Sequence, residues 1–589
     1  MVFLVSSSPI TLHSILLARM SNTGKRRPPI NKPILYMIGT SMRKWLSQYY
    51  PIIIVAVAGL FLTSNLLRPG WYLSHDGIFH IYRTEEALSM LKLGHIPLRW
   101  AGDFDQGFGI PLFSFVYPLP YYLSSVLSFL IGTMWSLKTI TIAAYILGGI
   151  GMYMLLSVRE RSFGLFGAVI FLLTPYQFLN IFVRGTLGET LAIGLMPWVL
   201  YSYQNLKKNN KLRWYHPLPL AGVLLAHNFL GILFAAFLFG YMLTEKTSLK
   251  RAFGSLIISL RLSAFFILPM ILQKNLLYSF EYKDLTFRFD QHFVTLKQLL
   301  YSKWDYWYSM PGENDGMSFQ LGIAQIILAI LGIGAIIIKH RTFANLYLVL
   351  AYIGTVYLMH SKSYFIWDSL PLLQSVQFPW RFLFMPLILT PLLASNFITL
   401  IKSKNIRYIL MLGFIILAFV NIRNYRNPQQ FMDNKEYTDL YRLYYNKTST
   451  TFRTEILPKW SVPHERYKTD EILVNSGNMT IDALSHDPLK ITVTINNKPD
   501  NSEGRVTILR NYYPGWRVTM DNKKKIEVKP TEDGMIMLKP ELGVHNYIIK
   551  MSSTPIEVLG NTITFLSGLT LGYLWYKNKK TFPLKAKSK

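Results

Sequence analysis

The chain has 589 residues, of which 51% are hydrophobic types and only 16% charged, against roughly 25% charged in an average soluble domain, which excludes an ordinary soluble globular protein. Lysine and arginine number 61 against 32 acidic residues, a net charge of +29. They gather in short connectors between apolar blocks, as in the cytoplasmic loops of a polytopic membrane protein, so no nucleic-acid partner is expected. The lack of cysteine excludes disulfides, thiolate-bound zinc, iron–sulfur clusters and thiol nucleophiles.

In chain order, residues 1–50 form a basic segment carrying Lys25, Arg26, Arg27, Lys32, Arg43 and Lys44, which the positive-inside rule puts in the cytoplasm. Residues 1–20 are weakly hydrophobic and lack a small-residue cleavage site, so no signal peptide is expected there. The first apolar block, Pro51 to Leu67, therefore runs outward. A first external loop follows over residues 68–138, and within it Leu112–Gly132 reads as a juxtamembrane helix interrupted near its start by Pro118 and Pro120. Counting that stretch as a span would put the basic turn Arg159-Glu160-Arg161 outside.

With that choice the remaining connectors agree with one parity. Spans are expected at Thr139–Val158, Phe163–Phe182, Leu187–Gln204, the hairpin Pro217–Ala226 and Phe229–Leu243, Phe253–Gln273, Leu321–Ile338, Leu346–Met359, Phe382–Ile401, Tyr408–Val420 and Val558–Tyr576. The fold class expected is a polytopic α-helical membrane protein of about twelve spans, with both termini cytoplasmic. Its transmembrane domain covers residues 51–422, and residues 556–589 supply the last span and a basic tail. Between them, residues 423–555 change character, with alternation in Lys490–Ile495, Arg505–Leu509, Ile526–Val528 and Tyr547–Lys550. Asn496-Asn497, Pro514-Gly515, Asp521-Asn522 and Asp533-Gly534 read as turns, so an external antiparallel β-sandwich is expected there.

Charge next to membrane-length segments needs a reason. Asp76, His80 and Arg83, at i, i+4 and i+7, would share one helix face just after the first span. Arg184 and Glu189 bracket the short outer turn between two spans, His227-Asn228 forms a hairpin tip, and Arg381 precedes another span. All converge on the outer membrane face, where ionisable groups normally line a protein interior or wet cavity. Plainer readings stand beside this. Arg184 and Arg381 would serve as interface anchors, Glu189 as a first-turn charge complementing the helix dipole, His227 and Asn228 as turn residues, and Trp100 and Trp380 as part of an aromatic belt.

These residues also carry a resemblance. The Asp-containing loop after the first span, Gly94-x-Ile96-Pro97-x-Arg99-Trp100, Gly107-x-Gly109-x-Pro111, Pro118-Leu119-Pro120-Tyr121-Tyr122, the Arg184–Glu189 turn, His227-Asn228 and Phe378-Pro379-Trp380-Arg381 resemble bacterial 6-pyruvoyl-tetrahydropterin-synthase-related membrane proteins. Tyr512-Tyr513-Pro514-Gly515-Trp516 is similar to the outer domain of YfhO-like proteins. The resemblance implies a GT-C-like architecture, that of glycosyltransferases using polyprenyl-phosphate sugars and a first-loop acid. Typical GT-C loops carry a paired acid, whereas this one reads His75-Asp76-Gly77.

Glycosyl transfer with inversion needs a carboxylate to take the acceptor proton and cations to hold the departing phosphate. Asp76 is the candidate base with His80 as its orienting partner. Arg184 or Arg381, with Arg83, His227 and Asn228, would bind substrate and phosphate, and Glu189 would hold acceptor hydroxyls or, with Asp76, a divalent cation such as Mg or Mn. The expected partners are membrane lipid, a polyprenyl-phosphate-linked sugar donor and a glycan or protein acceptor of the cell envelope, at the outer face of a prokaryotic plasma membrane. Two other classes stay open: a non-catalytic envelope assembly factor, and a lipid-linked-oligosaccharide transporter, which would carry charges deep within several spans.

Overall fold

The structure, a computed structural model, describes residues 48–245, 248–278, 288–312, 315–374, 376–433, 435–439, 456–464, 468–498 and 504–580. The expected basic N-terminal segment up to residue 47, and the tail beyond residue 580, lie outside the described residues. The chain divides into two units, residues 1–51 and 52–589, and apart from the first four residues of the first helix every element named here lies in the second.

Helices follow the apolar blocks: α1 (Gln48–Leu62), α2 (Gly77–Lys92), α3 (Leu119–Ile131), α4 (Thr133–Leu156), α5 (Arg161–Leu172), α6 (Leu187–Asn209), α7 (Leu218–Ala226), α8 (Asn228–Leu243), α9 (Leu249–Leu262), α10 (Ala264–Leu272), α11 (Ile323–Ile338), α12 (Phe343–Leu358), α13 (Phe384–Ile398), α14 (Lys404–Ile422) and α15 (Pro555–Lys580). Among the described residues three stretches, Thr133–Leu156, Pro379–Ile398 and Lys404–Ile422, are long and apolar enough to cross a membrane alone, and three further bent pairs qualify together. One pair, Arg161–Leu172 with Pro175–Arg184, bends by 49°, as expected where Pro175 removes a donor from the helical ladder. The 13-residue α3 is about 20 Å long, too short for a hydrocarbon core of roughly 30 Å. Helices α4 and α6 lie so close that a Cβ on Gly194 would stand 2.3 Å from the Ala144 carbonyl oxygen, the close approach that small residues allow between helices.

Two antiparallel sheets occupy residues 472–551. Their strands are β1 (Ile472–Ser476), β2 (Met479–Asp487), β3 (Lys490–Asn497), β4 (Arg505–Asn511), β5 (Trp516–Met520), β6 (Lys524–Ile526), β7 (Lys529–Pro530), β8 (Met535–Leu538) and β9 (Gly543–Met551). One sheet has the order β1-β4-β8-β7 and the other β2-β3-β9-β5-β6. Strict alternation along β3 buries Ile491, Val493 and Ile495 against Val506, Ile508, Trp516, Val518 and Ile549, the period-2 pattern of a strand with one face in a core. Asp521 and Asn522 take positive φ at the β5–β6 hairpin, as does Gly534 before β8. The pair Asn496-Asn497, expected to turn, instead continues β3: Asn497 is in register with both Met479 and Gly543, and its amide donates to the Pro540 carbonyl.

The loop after α2 docks on these sheets. Trp100 is not in an aromatic belt; it joins the sandwich core, edge-on to Trp516 at 6.0 Å between ring centroids. Asn511 donates to the Asp105 carboxylate at 2.7 Å, and His95 meets Asp487 at 2.9 Å. At this seam Glu86, 2% exposed, accepts from the Gly102 N–H, and burial with the neighbouring Asp103 carboxylate pushes its pKa up to about 8. The folded state thus keeps a proton that the unfolded chain loses near its ordinary value. The stability this contributes is full below about pH 4.5 and falls by at most about 1.4 kcal/mol per pH unit until the folded group titrates near pH 8. Glu86→Gln is expected to flatten that slope, read as the unfolding midpoint between pH 5 and pH 9; an unchanged slope would show that Glu86 is not its source.

Candidate functional site

The site begins with a local distortion. Past Pro175 the backbone winds as a π-helix over Leu179–Arg184 and stops at Gly185, whose φ is +68°. Any Cβ there would stand 2.4 Å from Ser74 Oγ, so both the left-handed turn and the close approach require glycine. Single π turns inside helices frequently accompany functional sites. Two consecutive N–H groups of the Ser74–Asp76 loop satisfy the last carbonyls of this turn: His75 N–H donates to the Val183 carbonyl at 3.0 Å and Asp76 N–H to the Arg184 carbonyl at 2.8 Å. Asp76 and Arg184 are thereby tied through the backbone.

Arg184, 5% exposed, folds onto the first turn of α6. Its Nη1 and Nη2 donate to Glu189 Oε2 and Oε1 at 2.6 and 2.8 Å, the forked geometry a guanidinium offers a carboxylate. Nη1 also donates to Asn180 Oδ1 at 2.7 Å, the guanidinium carbon lies 4.7 Å from the centre of the Trp380 ring, and Tyr176 Oη donates to Glu189 Oε2 at 3.1 Å. Arg381 arrives from the turn before α13. Its Nε lies 3.4 Å from Glu189 Oε1, while Nη1 donates to the Val376 carbonyl at 2.7 Å and Gln377 Oε1 at 3.3 Å, and the group packs over Phe378.

His227 completes the ring around Glu189. Its Nδ1 accepts from the Leu230 N–H, so the proton sits on Nε2, 3.7 Å from Glu189 Oε1, and its ring stacks on Tyr117. Asn228 turns elsewhere, its amide donating to Met270 Sδ.

His80 and Arg83 lie on one face of α2, and both reach the Tyr121 hydroxyl. The Leu187 N–H occupies His80 Nε2, so Nδ1 carries the proton and donates to Tyr121 Oη at 2.9 Å; Arg83 Nη1 donates to the same oxygen at 3.3 Å. Burial, then the Arg83 charge, hold the His80 pKa down to about 3, so it is neutral. Both His80 nitrogens are therefore engaged away from the Asp76 carboxylate, and only its backbone N–H returns to Asp76, at the carbonyl.

Asp76 differs from every other charge here. It is the N-cap residue of α2 but makes no side-chain cap bond, and among the described residues no hydrogen bond or ion pair engages its carboxylate. It is half-buried, and its charge acts on both Arg184 and Arg381. Burial depresses the pKa of neighbouring His75, whose Nε2 contacts the Tyr306 carbonyl.

The arrangement therefore offers one unengaged carboxylate beside two cations that are fixed by a second, saturated carboxylate. As for a divalent cation, no group of three or more His, Asp or Glu among the described residues could hold a metal ion, and Glu189 already serves Arg184 with both oxygens. Tyr176 and Asn180 were not foreseen from the sequence, although a polar Asn180 inside an apolar span is a signal of the kind that marks intramembrane sites.

Known proteins resemble this chain in several ways. A protein of Lactococcus lactis subsp. cremoris (strain MG1363), described as uncharacterized, is 24% identical over 253 residues, 39% of this chain and 40% of that one. Among solved structures, the arabinofuranosyltransferase AftD from Mycobacteria shares 15% identity at a TM-score of 0.43, over 65% of this chain and 27% of its own. The Archaeoglobus fulgidus oligosaccharyltransferase shares 13% identity at a TM-score of 0.43, over 72% of this chain and 62% of its own. The chain spans less than two thirds of the length of each of these. Residues 113–427, more than half of the chain, match the family described as the 6-pyruvoyl-tetrahydropterin synthase related domain, a membrane protein family. The chain belongs to that family.

Proposed function

We propose that this membrane protein is a glycosyltransferase that moves a sugar from a polyprenyl-phosphate donor to a cell-envelope acceptor at the outer face of a prokaryotic plasma membrane, with both termini cytoplasmic. The observation that carries this reading is the contrast between the two carboxylates. Glu189 is saturated by Arg184, Tyr176 and Arg381, whereas Asp76 is held beside the same cations with its oxygens unspent. A carboxylate spent on neither capping nor pairing is available to take a proton.

In the reaction, Asp76 accepts the proton of the acceptor hydroxyl as its oxygen attacks the anomeric carbon. The bond from that carbon to the phosphate oxygen breaks, the lipid phosphate leaves with the electron pair, and inversion results. Arg381, whose Nε makes no hydrogen bond, stabilises the departing phosphate; Glu189 keeps both guanidiniums in position. His80 and Arg83 brace Tyr121, and through it the wall carrying Tyr117 and His227.

Membranes carrying the protein, given radiolabelled polyprenyl-phosphate sugar, are expected to pass label to an envelope fraction with inverted anomeric configuration. Arg381→Lys should lower that rate at least about tenfold, because a point charge cannot reproduce a planar fork. A merely interfacial arginine would be replaced by lysine without effect, since lysine snorkels equally well.

A further inference from the structure

Residues 304–312 hold two large rings in the open, one of them against the residue that precedes the proposed base. Trp307 is 62% and Tyr308 52% exposed. Tyr308 stacks on His75, the residue before Asp76, with ring centroids 4.4 Å apart and planes 27° from parallel. The segment is held on several sides. Trp307 N–H donates to the Gly316 carbonyl and Gly316 N–H to the Tyr308 carbonyl. Asp315 Oδ1 accepts from the Met310 N–H at 2.9 Å, and Ser309 Oγ accepts from Trp380 Nε1 at 3.2 Å, the same Trp380 that carries Arg184. Trp304 is locked by stacking on Tyr425 at 4.1 Å. The exposed rings are therefore held in place, and Tyr308 packs on the residue that precedes the proposed base.

Exposed aromatics near a membrane often lie in the interface, but here the surroundings argue for a polar ligand. On either side of Trp304 in sequence stand Lys303 and Asp305, an ion pair whose side chains are 81% and 44% exposed and would have to leave water if the segment entered hydrocarbon. A flat ring with an electron-rich face, fixed among hydrogen-bonding groups, suits a molecule with one face of C–H bonds and an edge of hydroxyls, which is a sugar ring.

The two rings meet edge to face, with centroids 5.5 Å apart and planes 72° apart, so they form a corner in which Trp307 offers the open face and Tyr308, backed by His75, the adjoining wall. We infer that this aromatic corner is the platform for the acceptor, and that the acceptor is a carbohydrate. The word acceptor rests on the transferase reading above; the carbohydrate platform itself does not depend on catalysis. A sugar laid on Trp307 and Tyr308 extends toward His75 and presents a hydroxyl to Asp76.

The test is binding of defined di- to tetrasaccharides of glucose, galactose, mannose and rhamnose to the full chain in nanodiscs, followed by saturation-transfer NMR, with short peptides as the counter-probe. At least one oligosaccharide is expected to bind wild type and Asp76→Asn alike. Trp307→Ala and Tyr308→Ala should each weaken it about tenfold, and Trp307→Phe should keep most of it. If no sugar binds wild type, if peptides bind in place of sugars, or if both alanine variants bind as wild type does, the platform is overturned even where transfer is observed. Sugar binding that depends on Trp307 in a protein showing no transfer would instead leave the platform standing and sink the transferase reading.

Discussion

Glu189→Gln is expected to destabilise the folded protein by about 3–5 kcal/mol, the cost of breaking a buried ion pair by removing one partner. Glu189 is 1% exposed, receives Arg184 at 2.6 and 2.8 Å and Tyr176 at 3.1 Å, and has the Arg381 charge at 3.4 Å and the neutral His227 ring at 3.7 Å. Glutamine keeps the volume, so the substitution reads charge rather than packing. It would leave two guanidiniums buried side by side without their common anion, and turn an amide toward donors that need an acceptor. The measurement is the thermal unfolding midpoint in nanodiscs, with Glu189→Gln/Arg184→Met alongside. Because the double variant also removes one buried cation, it should recover part of the loss. A single variant that melts with wild type would mean that Glu189 does not hold the site together.

Much of the helical framework was legible because apolar blocks and basic connectors obey the membrane as a solvent. The exceptions have physical causes. The span expected from Thr139 begins at Thr133 and takes Lys138 inside α4: its ammonium is buried, donating to the Arg68 and Gly70 carbonyls and lying over Trp135. The burial of Trp100 in a sandwich formed from strands after residue 472 is a contact across most of the chain, for which no local pattern speaks.

The site divides in the same way. Arg184, Glu189, His227 and Arg381 were grouped by their common depth at span ends, and they do meet around Glu189. The spacing of Asp76, His80 and Arg83 suggested one helix face, but the helix starts at Gly77. Asp76 is thus its cap, beside Arg184, while His80 and Arg83 share Tyr121. The π turn that aims Arg184 has no signature beyond Pro175 and Gly185 at its borders.

The role of Asp76 as the base is decided by Asp76→Asn, which keeps the size of the side chain while removing its negative charge and with it the ability to take a proton. Wild type and variant, at equal levels in the membrane, should be compared for transfer from a radiolabelled polyprenyl-phosphate sugar to the envelope fraction, with the unfolding midpoint of each as the control for folding. Transfer should fall on the order of a hundredfold or more with an unchanged midpoint, since the backbone hydrogen bonds of Asp76 are kept and its side chain makes no hydrogen bond or ion pair among the described residues. Transfer by Asp76→Asn at the wild-type rate would contradict that role and leave a non-catalytic envelope assembly factor as the better reading.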